Sequence, residues 1–468
     1  VVFQHQYPVE VVPCDVLGYS MNDVRRIVAE KRPDVVGCTT TTENRFDSFD
    51  LIKTVKAVDP TIVTVLGGPH ISMAREDTVQ HLAELDFAVI GEGEFTLLEL
   101  VGALDRGEDP SQVPGLVMRR DGRVFFTGER APISDLDVLP MPARHLIPMD
   151  RYHFYVTTRD GRRRKAQNIM TSRGCPFNCY FCATPVNWGR RMRGFSVKRV
   201  IEEIEHLIHQ YGAEFIWFYD DTLNYQSARL HELLDQIIAK NWGIKFCSEF
   251  RIDLIDRPTL EKMMLAGLDF GFFGIEAGNS RIRREVVHKQ FDIDLAYQFV
   301  RWASELGFTA NGFLIFSHFS EGWKDALESI AIMNRLKELN PETEITTAIL
   351  HIYPGTELER MAKSEGLFPQ DFSWTRKKDM KRIHVLPAAQ GHVPLFKHRL
   401  SWVQIADLVM RWSATKKKLV SSSKIRQALS NLNSFKDIYI YGVFFLVMMK
   451  YKLKKLIRST ERTSMGSD

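Results

Sequence analysis

The strongest constraint on the fold is a repeated alternation of short apolar runs with longer segments of helical periodicity. Strands that alternate with helices in this way form parallel sheets with helices packed on their faces. The alternation occurs through residues 1–105 and again through 166–360. We therefore predict an α/β protein with an N-terminal doubly wound, Rossmann-like domain followed by a partial (β/α)6, TIM-like barrel.

The N-terminal domain, predicted over 1–105, has four expected strands. They are Val9–Val12, Asp34–Cys38, Ile62–Leu66 and Phe87–Ile90. Ligands of such sheets bind at the carboxyl ends of the strands. The chain begins with Val and opens almost directly in an apparent strand, so we expect the N-terminus to be truncated. A linker is predicted over 106–165, with a hairpin at Asp121-Gly122.

The barrel is predicted over 166–365, with six expected strands. They are Gln167–Thr171, Glu214–Tyr219, Ile244–Ser248, Phe270–Ile275, Phe308–Phe316 and Ile345–Ile352. Functional residues of such barrels lie at strand ends and in the loops that follow them. A helical C-terminal region with a basic tail is predicted over 366–468.

Charge and cysteine content limit the classes of function. Twelve Lys or Arg against three Asp or Glu lie in 415–468, and the rest of the 468-residue chain is mildly acidic. Outside the tail nothing resembles a nucleic-acid surface. The chain has six cysteines, too few for a disulfide scaffold of this size, and no secretory signal is visible. We therefore expect a cytosolic protein.

Three of the cysteines crowd into a C-x3-C-x2-C loop directly after the first barrel strand. They are Cys175, Cys179 and Cys182. Three thiolates from one loop can bind three irons of a four-iron, four-sulfur cluster and leave the fourth iron open. Gly174 permits a tight turn there. The alternatives are a zinc site, with Cys247 as a distant fourth ligand, or three unrelated core cysteines.

This loop, with an aromatic residue before its last cysteine, resembles the signature of the radical S-adenosylmethionine (SAM) superfamily. The resemblance implies that the open iron chelates the amino and carboxylate groups of SAM. Reduction of the cluster by an external donor of the flavodoxin or ferredoxin type then cleaves SAM. The resulting 5′-deoxyadenosyl radical abstracts hydrogen from an unactivated C–H bond.

The same resemblance implies SAM contacts at the barrel strand ends. The implied residues are Phe181, Asp220, Asp221, Thr222, Arg251, Glu276 and Tyr353. Arg251 would suit the SAM carboxylate through a charge-assisted bond. The alternative for each carboxylate is a solvated or salt-bridged loop residue. After the fifth strand the family usually has a glycine-rich turn, and the chain departs from it with Ser317-His318-Phe319-Ser320-Glu321-Gly322.

Residues 1–105 resemble the cobalamin-binding domain that precedes the barrel in one subfamily. The resemblance implies cobalamin contacts from small or hydroxylated residues at the strand ends and one acid: Thr39, Thr40, Thr41, Gly67, Gly68, Gly91, Glu92 and Gly93. The loop that carries an axial histidine in many cobalamin proteins is missing here, and His70 is a poor substitute. The alternative is a flavodoxin-like domain with no ligand or with a regulatory role.

Members of this subfamily include cobalamin-dependent radical SAM methyltransferases and the anaerobic magnesium-protoporphyrin IX monomethyl ester oxidative cyclase. We therefore weigh transfer of a methyl group to an unactivated carbon against radical oxidation or cyclisation. A regulatory module with structural zinc is the non-enzymatic alternative. The substrate is expected to be a small molecule, and the aromatic content suits a bulky or apolar one. At the tail, residues 438–449 and the lysines after them suit either a membrane surface or, as we favour, a helix packed on the barrel.

Overall fold

The computed structural model describes residues 1–2, 7–383, 393–415, 438–440 and 442–451. Its N-terminal sheet has the order β1-β2-β3-β4-β5, with three parallel strands followed by an antiparallel hairpin. The strands are β1 Val35–Thr39, β2 Val63–Gly67, β3 Phe87–Val89, β4 Leu116–Arg120 and β5 Arg123–Phe126. The helices are α1 Cys14–Leu17, α2 Met21–Lys31, α3 Arg45–Val58, α4 Pro69–Met73, α5 Arg75–His81 and α6 Gly93–Asp105.

Helices cover both faces of this sheet. Val65 and Val89 pack against Leu100 of α6 on one face. Leu66 and Ala88 pack with Ile52 of α3 on the other. Strands buried on both faces are apolar throughout, which is why the predicted runs were continuous.

Two predictions for this region need correction. Val9–Val12 is not a strand: the segment is mostly exposed, and Pro8 and Pro13 flank it, where proline lacks the amide that a ladder needs. The hairpin of β4 and β5 is not part of a linker, because Phe87 of β3 pairs with Met118 of β4. The predicted boundary at residue 105 therefore cuts through the sheet.

The barrel sheet has the order β6-β7-β10-β11-β12-β13-β14. Pairing is parallel from β7 to β14, and β6 joins β7 antiparallel at one edge. Its strands, together with the short hairpin β8-β9, are β6 Tyr155–Thr157, β7 Arg163–Ile169, β8 Ser172–Arg173, β9 Arg193–Gly194, β10 Phe215–Phe218, β11 Lys245–Phe250, β12 Leu268–Glu276, β13 Thr309–Phe316 and β14 Glu344–Ile349. The barrel is open, as predicted, and β6 adds an edge strand that the sequence did not reveal.

Helices follow the barrel strands in turn. They are α7 Thr184–Trp188, α8 Val197–Tyr211, α9 Ser227–Lys240, α10 Arg257–Ala266, α11 Ile293–Leu306, α12 Trp323–Leu339, α13 Glu357–Ser364 and α14 Trp402–Thr415. Helix α8 shows how the local sequence sets their limits. Ser196 caps its first turn by accepting a bond from the amide of Arg199, and Gly212 ends it in the left-handed conformation.

The C-terminal region packs on the mouth of the barrel and on the N-terminal domain. Trp374 and Phe368 share a core with Phe49 of α3 and with Tyr180. None of the described helices combines the length and the hydropathy that a membrane-spanning segment requires. The basic residues Lys452, Lys454, Lys455 and Arg458 lie outside the described residues.

Candidate active site between two strand edges

The carboxyl ends of the two sheets meet. The Tyr353 hydroxyl, after β14, donates to Glu43, after β1, at 2.8 Å. Helix α4, which follows β2, contacts α7, which follows the cysteines. Ligands of parallel sheets bind at these ends. A ligand of the N-terminal domain would therefore face a ligand of the barrel.

The cysteine loop, residues 174–182, is folded back on the segment before β9. Gly174 has φ +92°, and a side chain there would collide with the carbonyl of Arg191. The amide of Cys175 donates to the Gly189 carbonyl at 3.3 Å, and that of Cys182 to Cys179 at 3.0 Å. All three cysteines are partly exposed. Burial raises the pKa of the Cys179 thiol to about 11.

Cys247 does not belong to this site. It is fully buried inside the barrel, where it packs with Ala166 and Phe215. No three His, Cys, Asp or Glu side chains of the described ranges are arranged to hold a single metal ion. A four-iron cluster distributes its thiolates over separate irons, so its three cysteines need not converge on one point. Three partly exposed thiols on one loop fit such a cluster.

A chain of neutral hydrogen bonds fixes the middle of the loop, and we call it the neutral anchor. The hydroxyl of Tyr180 accepts from the amide of Phe319 at 3.2 Å and lies 3.0 Å from His318 Nδ1. His318 Nε2 lies 3.3 Å from the Glu276 carbonyl. Burial lowers the pKa of His318 to about 4, so the ring is neutral at pH 7. The consistent tautomer accepts from Tyr180 and donates to Glu276.

His318 thus explains the departure from a glycine-rich turn. It connects the cysteine loop to the end of β12, where a SAM contact was predicted at Glu276. Phe181 packs beside it, with ring centroids 6.1 Å apart. Glu321 accepts from the amide of His318 at 2.9 Å, and burial raises its pKa to about 8.

Charged groups of both signs line the barrel mouth. Glu276 pairs with Lys289 at 2.7 Å, with both side chains about one-tenth exposed. Arg251 pairs with Asp253 at 2.7 Å and stacks over Phe177, 3.6 Å from the ring centroid. Burial, with the nearby carboxylates of Asp221 and Glu276, raises the pKa of Glu249 to about 7. Such a mixed set suits a zwitterionic ligand.

Asp220 and Asp221, both predicted as SAM contacts after β10, differ in their surroundings. Asp220 is fully buried and accepts bonds from the Thr171 amide and hydroxyl, at 3.1 and 2.9 Å. Those bonds occupy its carboxylate, so we no longer assign it a SAM contact. Asp221 accepts from Thr184 at 2.7 Å, and the Thr222 hydroxyl lies 3.9 Å from Cys175 Sγ. These two remain candidates.

The predicted cobalamin contacts occupy the carboxyl edge of the N-terminal sheet. Thr39 and Thr41 are accessible, whereas Thr40 is buried, and its hydroxyl has no hydrogen-bond partner in the described structure. Gly68 has φ +94°, and a Cβ there would lie 2.7 Å from Thr39 Oγ1, so its backbone packs on that loop. Gly67 lies beside Val89, and the space above Gly91 is open. An orphaned hydroxyl and an open glycine at one edge fit a ligand there.

His70 is not placed as an axial ligand. It is fully buried, and its Nδ1 lies 3.1 Å from the Thr42 hydroxyl. Trp374 packs against the ring with centroids 6.3 Å apart. Burial lowers the pKa of His70 to about 3, so the ring is neutral. It supports the loop after β1.

Glu92 forms a contact between the two domains that the sequence did not predict, and we call this contact the charged anchor. Its carboxylate pairs with Arg193 at 2.8 Å and with Arg173 at 3.4 Å. It also accepts from the Ile133 amide at 2.7 Å. The Glu92 side chain is 6% exposed and faces the two arginines, so of the predicted Gly91-Glu92-Gly93 set we keep only the backbone as a candidate for cobalamin. Arg173 also pairs with Glu94 at 2.5 Å.

The comparisons with known proteins agree with this geometry. The sequence profile of the radical SAM superfamily matches residues 169–360, and that of the B12 binding domain matches 3–101. An uncharacterized methyltransferase of Pyrococcus horikoshii is 31% identical over 78% of this chain and 77% of its own. The chain therefore belongs to the radical SAM superfamily of enzymes, in the branch with an N-terminal B12-binding domain.

One further relative and one solved structure are similar to this chain. The anaerobic magnesium-protoporphyrin IX monomethyl ester cyclase of Rubrivivax gelatinosus is 31% identical over 59% of this chain, which spans 49% of that relative's length. The methyltransferase TsrM from Kitasatospora setae, solved with cobalamin and a [4Fe-4S] cluster, superposes with a TM-score of 0.70 at 17% identity, covering 96% of this chain and 94% of TsrM. The last likeness is one of fold.

Proposed function

We propose that this chain is a cobalamin-dependent radical SAM methyltransferase that adds a methyl group to an unactivated carbon of a small molecule. The observation that carries the proposal is the meeting of the two strand edges. The cysteine loop lies between them, anchored to both domains. A methyl carrier and a radical source would then face a shared space.

The proposal assigns a cofactor to each group of residues. Held by Cys175, Cys179 and Cys182, the cluster would supply the electron for reductive cleavage of SAM, and cobalamin would carry the methyl group. We expect Arg251 to bind the SAM carboxylate and Glu276 to bind its ribose, with Lys289 paired to Glu276 at 2.7 Å. Thr39, Thr41 and the backbone at Gly91 would hold cobalamin.

The concave face of the barrel favours an apolar or planar substrate. Tyr219, Trp217, Phe272 and Phe313 form a row of near-parallel rings with successive centroids 5.6, 5.3 and 5.8 Å apart. Tyr219, at the cysteine end of the row, exposes 53% of its surface. Offset rings of this kind stack well on another flat apolar group.

Anaerobic reconstitution tests the first half of the proposal. We expect a brown protein with about four irons per chain, which releases 5′-deoxyadenosine from SAM when reduced. Cys179→Ala should lose both properties. Cys247→Ala, a matched control inside the barrel, should keep them. A colourless protein that binds one zinc would overturn the proposal.

Isotope labelling tests the second half. With cobalamin bound, which absorbance titration should detect, label from the SAM methyl group should enter a product in extracts supplied with the enzyme. Turnover that consumes substrate without incorporating label would instead indicate an oxidative reaction of the cyclase type. Tyr219→Ala should raise KM for the substrate while 5′-deoxyadenosine release continues.

A further inference from the structure

The last helical stretch has one face fixed on the protein. In residues 438–440 and 442–451, Ile440 and Val447 are buried against the core and α14. The Tyr451 hydroxyl donates to Asp407 of α14 at 2.8 Å. This packing determines which side chains point outward.

The opposite side is an apolar surface, which we call the outer face. It consists of Ile438, Tyr439, Phe445, Leu446 and Met449. Leu446 is 69% exposed, Tyr439 60% and Phe445 56%. In a helix, Phe445, Leu446 and Met449 fall within an arc of about 100°. Contiguous exposed apolar side chains of this size mark an interaction site.

Positive charge follows the outer face directly. Lys450 is exposed at its end. In the sequence, Lys452, Lys454, Lys455 and Arg458 come next, and no acid stands between residues 438 and 460. A contact between two copies through this face would bring Lys450 of both copies to one interface, where like charges oppose association. An anionic surface satisfies both features.

We propose that the outer face lies in the headgroup region of an anionic membrane and that Lys450, at its end, pairs with lipid phosphates. An apolar helix face combined with basic residues has the two components that give membrane binding: buried apolar area and attraction to anionic lipid. The inference is independent of the proposed function, since it concerns a surface on the last helical stretch and not the cysteine loop.

Cosedimentation of the full chain with vesicles tests the proposal. We expect binding to vesicles of phosphatidylcholine with phosphatidylglycerol, and much weaker binding to phosphatidylcholine alone. Phe445→Asp with Leu446→Asp should weaken binding about tenfold or more, because it removes two apolar side chains from the interface. Lys450→Glu should weaken it less, and only on anionic vesicles, where salt should also reduce binding.

The matched control is Leu265→Asp on α10, where Leu265 is 77% exposed. It should bind vesicles like wild type. The outer-face variant should keep the wild-type melting temperature, since its altered side chains point away from the core. Equal loss in both variants, or no binding by wild type, would overturn the proposal. So would a change of oligomeric state in the outer-face variant with vesicle binding intact.

Discussion

The charged anchor and the neutral anchor hold the same cysteine loop by opposite kinds of chemistry. The charged anchor flanks the loop, with Arg173 just before it and Arg193 after it, and both pair with Glu92 of the N-terminal domain. The neutral anchor lies within the loop and joins it to the barrel through Tyr180 and His318. A buried ion pair tolerates the loss of one partner poorly, because the other charge stays desolvated. A neutral bond tolerates it better.

The largest expected effect comes from breaking the charged anchor. Glu92→Ala leaves Arg193 and Arg173 with side chains 5% and 11% exposed and without this carboxylate. The free energy of unfolding should fall by about 3–5 kcal/mol, measured by denaturant unfolding. Glu99→Ala is the control, because its pair with Arg130 leaves Glu99 47% exposed and is worth under about 1 kcal/mol. Equal effects of the two variants would refute the distinction.

Acid should weaken the neutral anchor. The folded-state pKa of His318 is about 4 against an ordinary 6.5, so the unfolded chain takes up the proton first as pH falls. This stabilises the unfolded state from about pH 6.5, and the loss is complete near pH 4, at most about 3 kcal/mol. The stability difference between wild type and His318→Asn should therefore shrink over this range. A difference that stays constant with pH would contradict the assignment of a neutral ring.

Removing one hydroxyl sharpens the comparison. Tyr180→Phe keeps the ring but leaves His318 and the Phe319 amide without their bonds to it. The cost should be about 1–2 kcal/mol, less than for Glu92→Ala. The electron paramagnetic resonance signal of the reduced cluster should also change, whereas Tyr225→Phe, at a tyrosine that is 41% exposed, should leave it unaltered. A larger cost than that of Glu92→Ala would reverse the ranking.

The smallest effect is expected at the rim of the charged anchor. Glu94 pairs with Arg173, but its side chain is 28% exposed, so water screens the charge. Glu94→Gln should change the free energy of unfolding by less than about 1 kcal/mol. A change as large as that of Glu92→Ala would mean that Arg173 depends on Glu94 and not on Glu92.

The sequence predicted features that depend on neighbours along the chain. The six barrel strands and the cysteine loop follow from local apolar runs and local spacing. Consecutive residues at a strand end face opposite sides. Asp220 accordingly accepts from Thr171, while Asp221 accepts from Thr184, two residues after Cys182.

Other features depend on contacts between distant residues. Glu92 and Arg193 meet only because the N-terminal sheet and the barrel pack edge to edge, and no sequence spacing predicts that they pair. Lys289 is found only through its ion pair with Glu276. The departure at His318 was visible in the sequence, but its partner Tyr180 lies 138 positions away.

The charged anchor also limits which N-terminal domains can replace the one in this enzyme. Its acid stands in the turn after β3 of one domain and its arginines on the β8-β9 hairpin of the other. In a chimera, a B12-binding domain from another protein must carry an acidic residue at this turn. Otherwise the two buried guanidinium groups lose the carboxylate that pairs with them. The two domains are therefore a matched pair for protein engineering, although each folds around its own sheet.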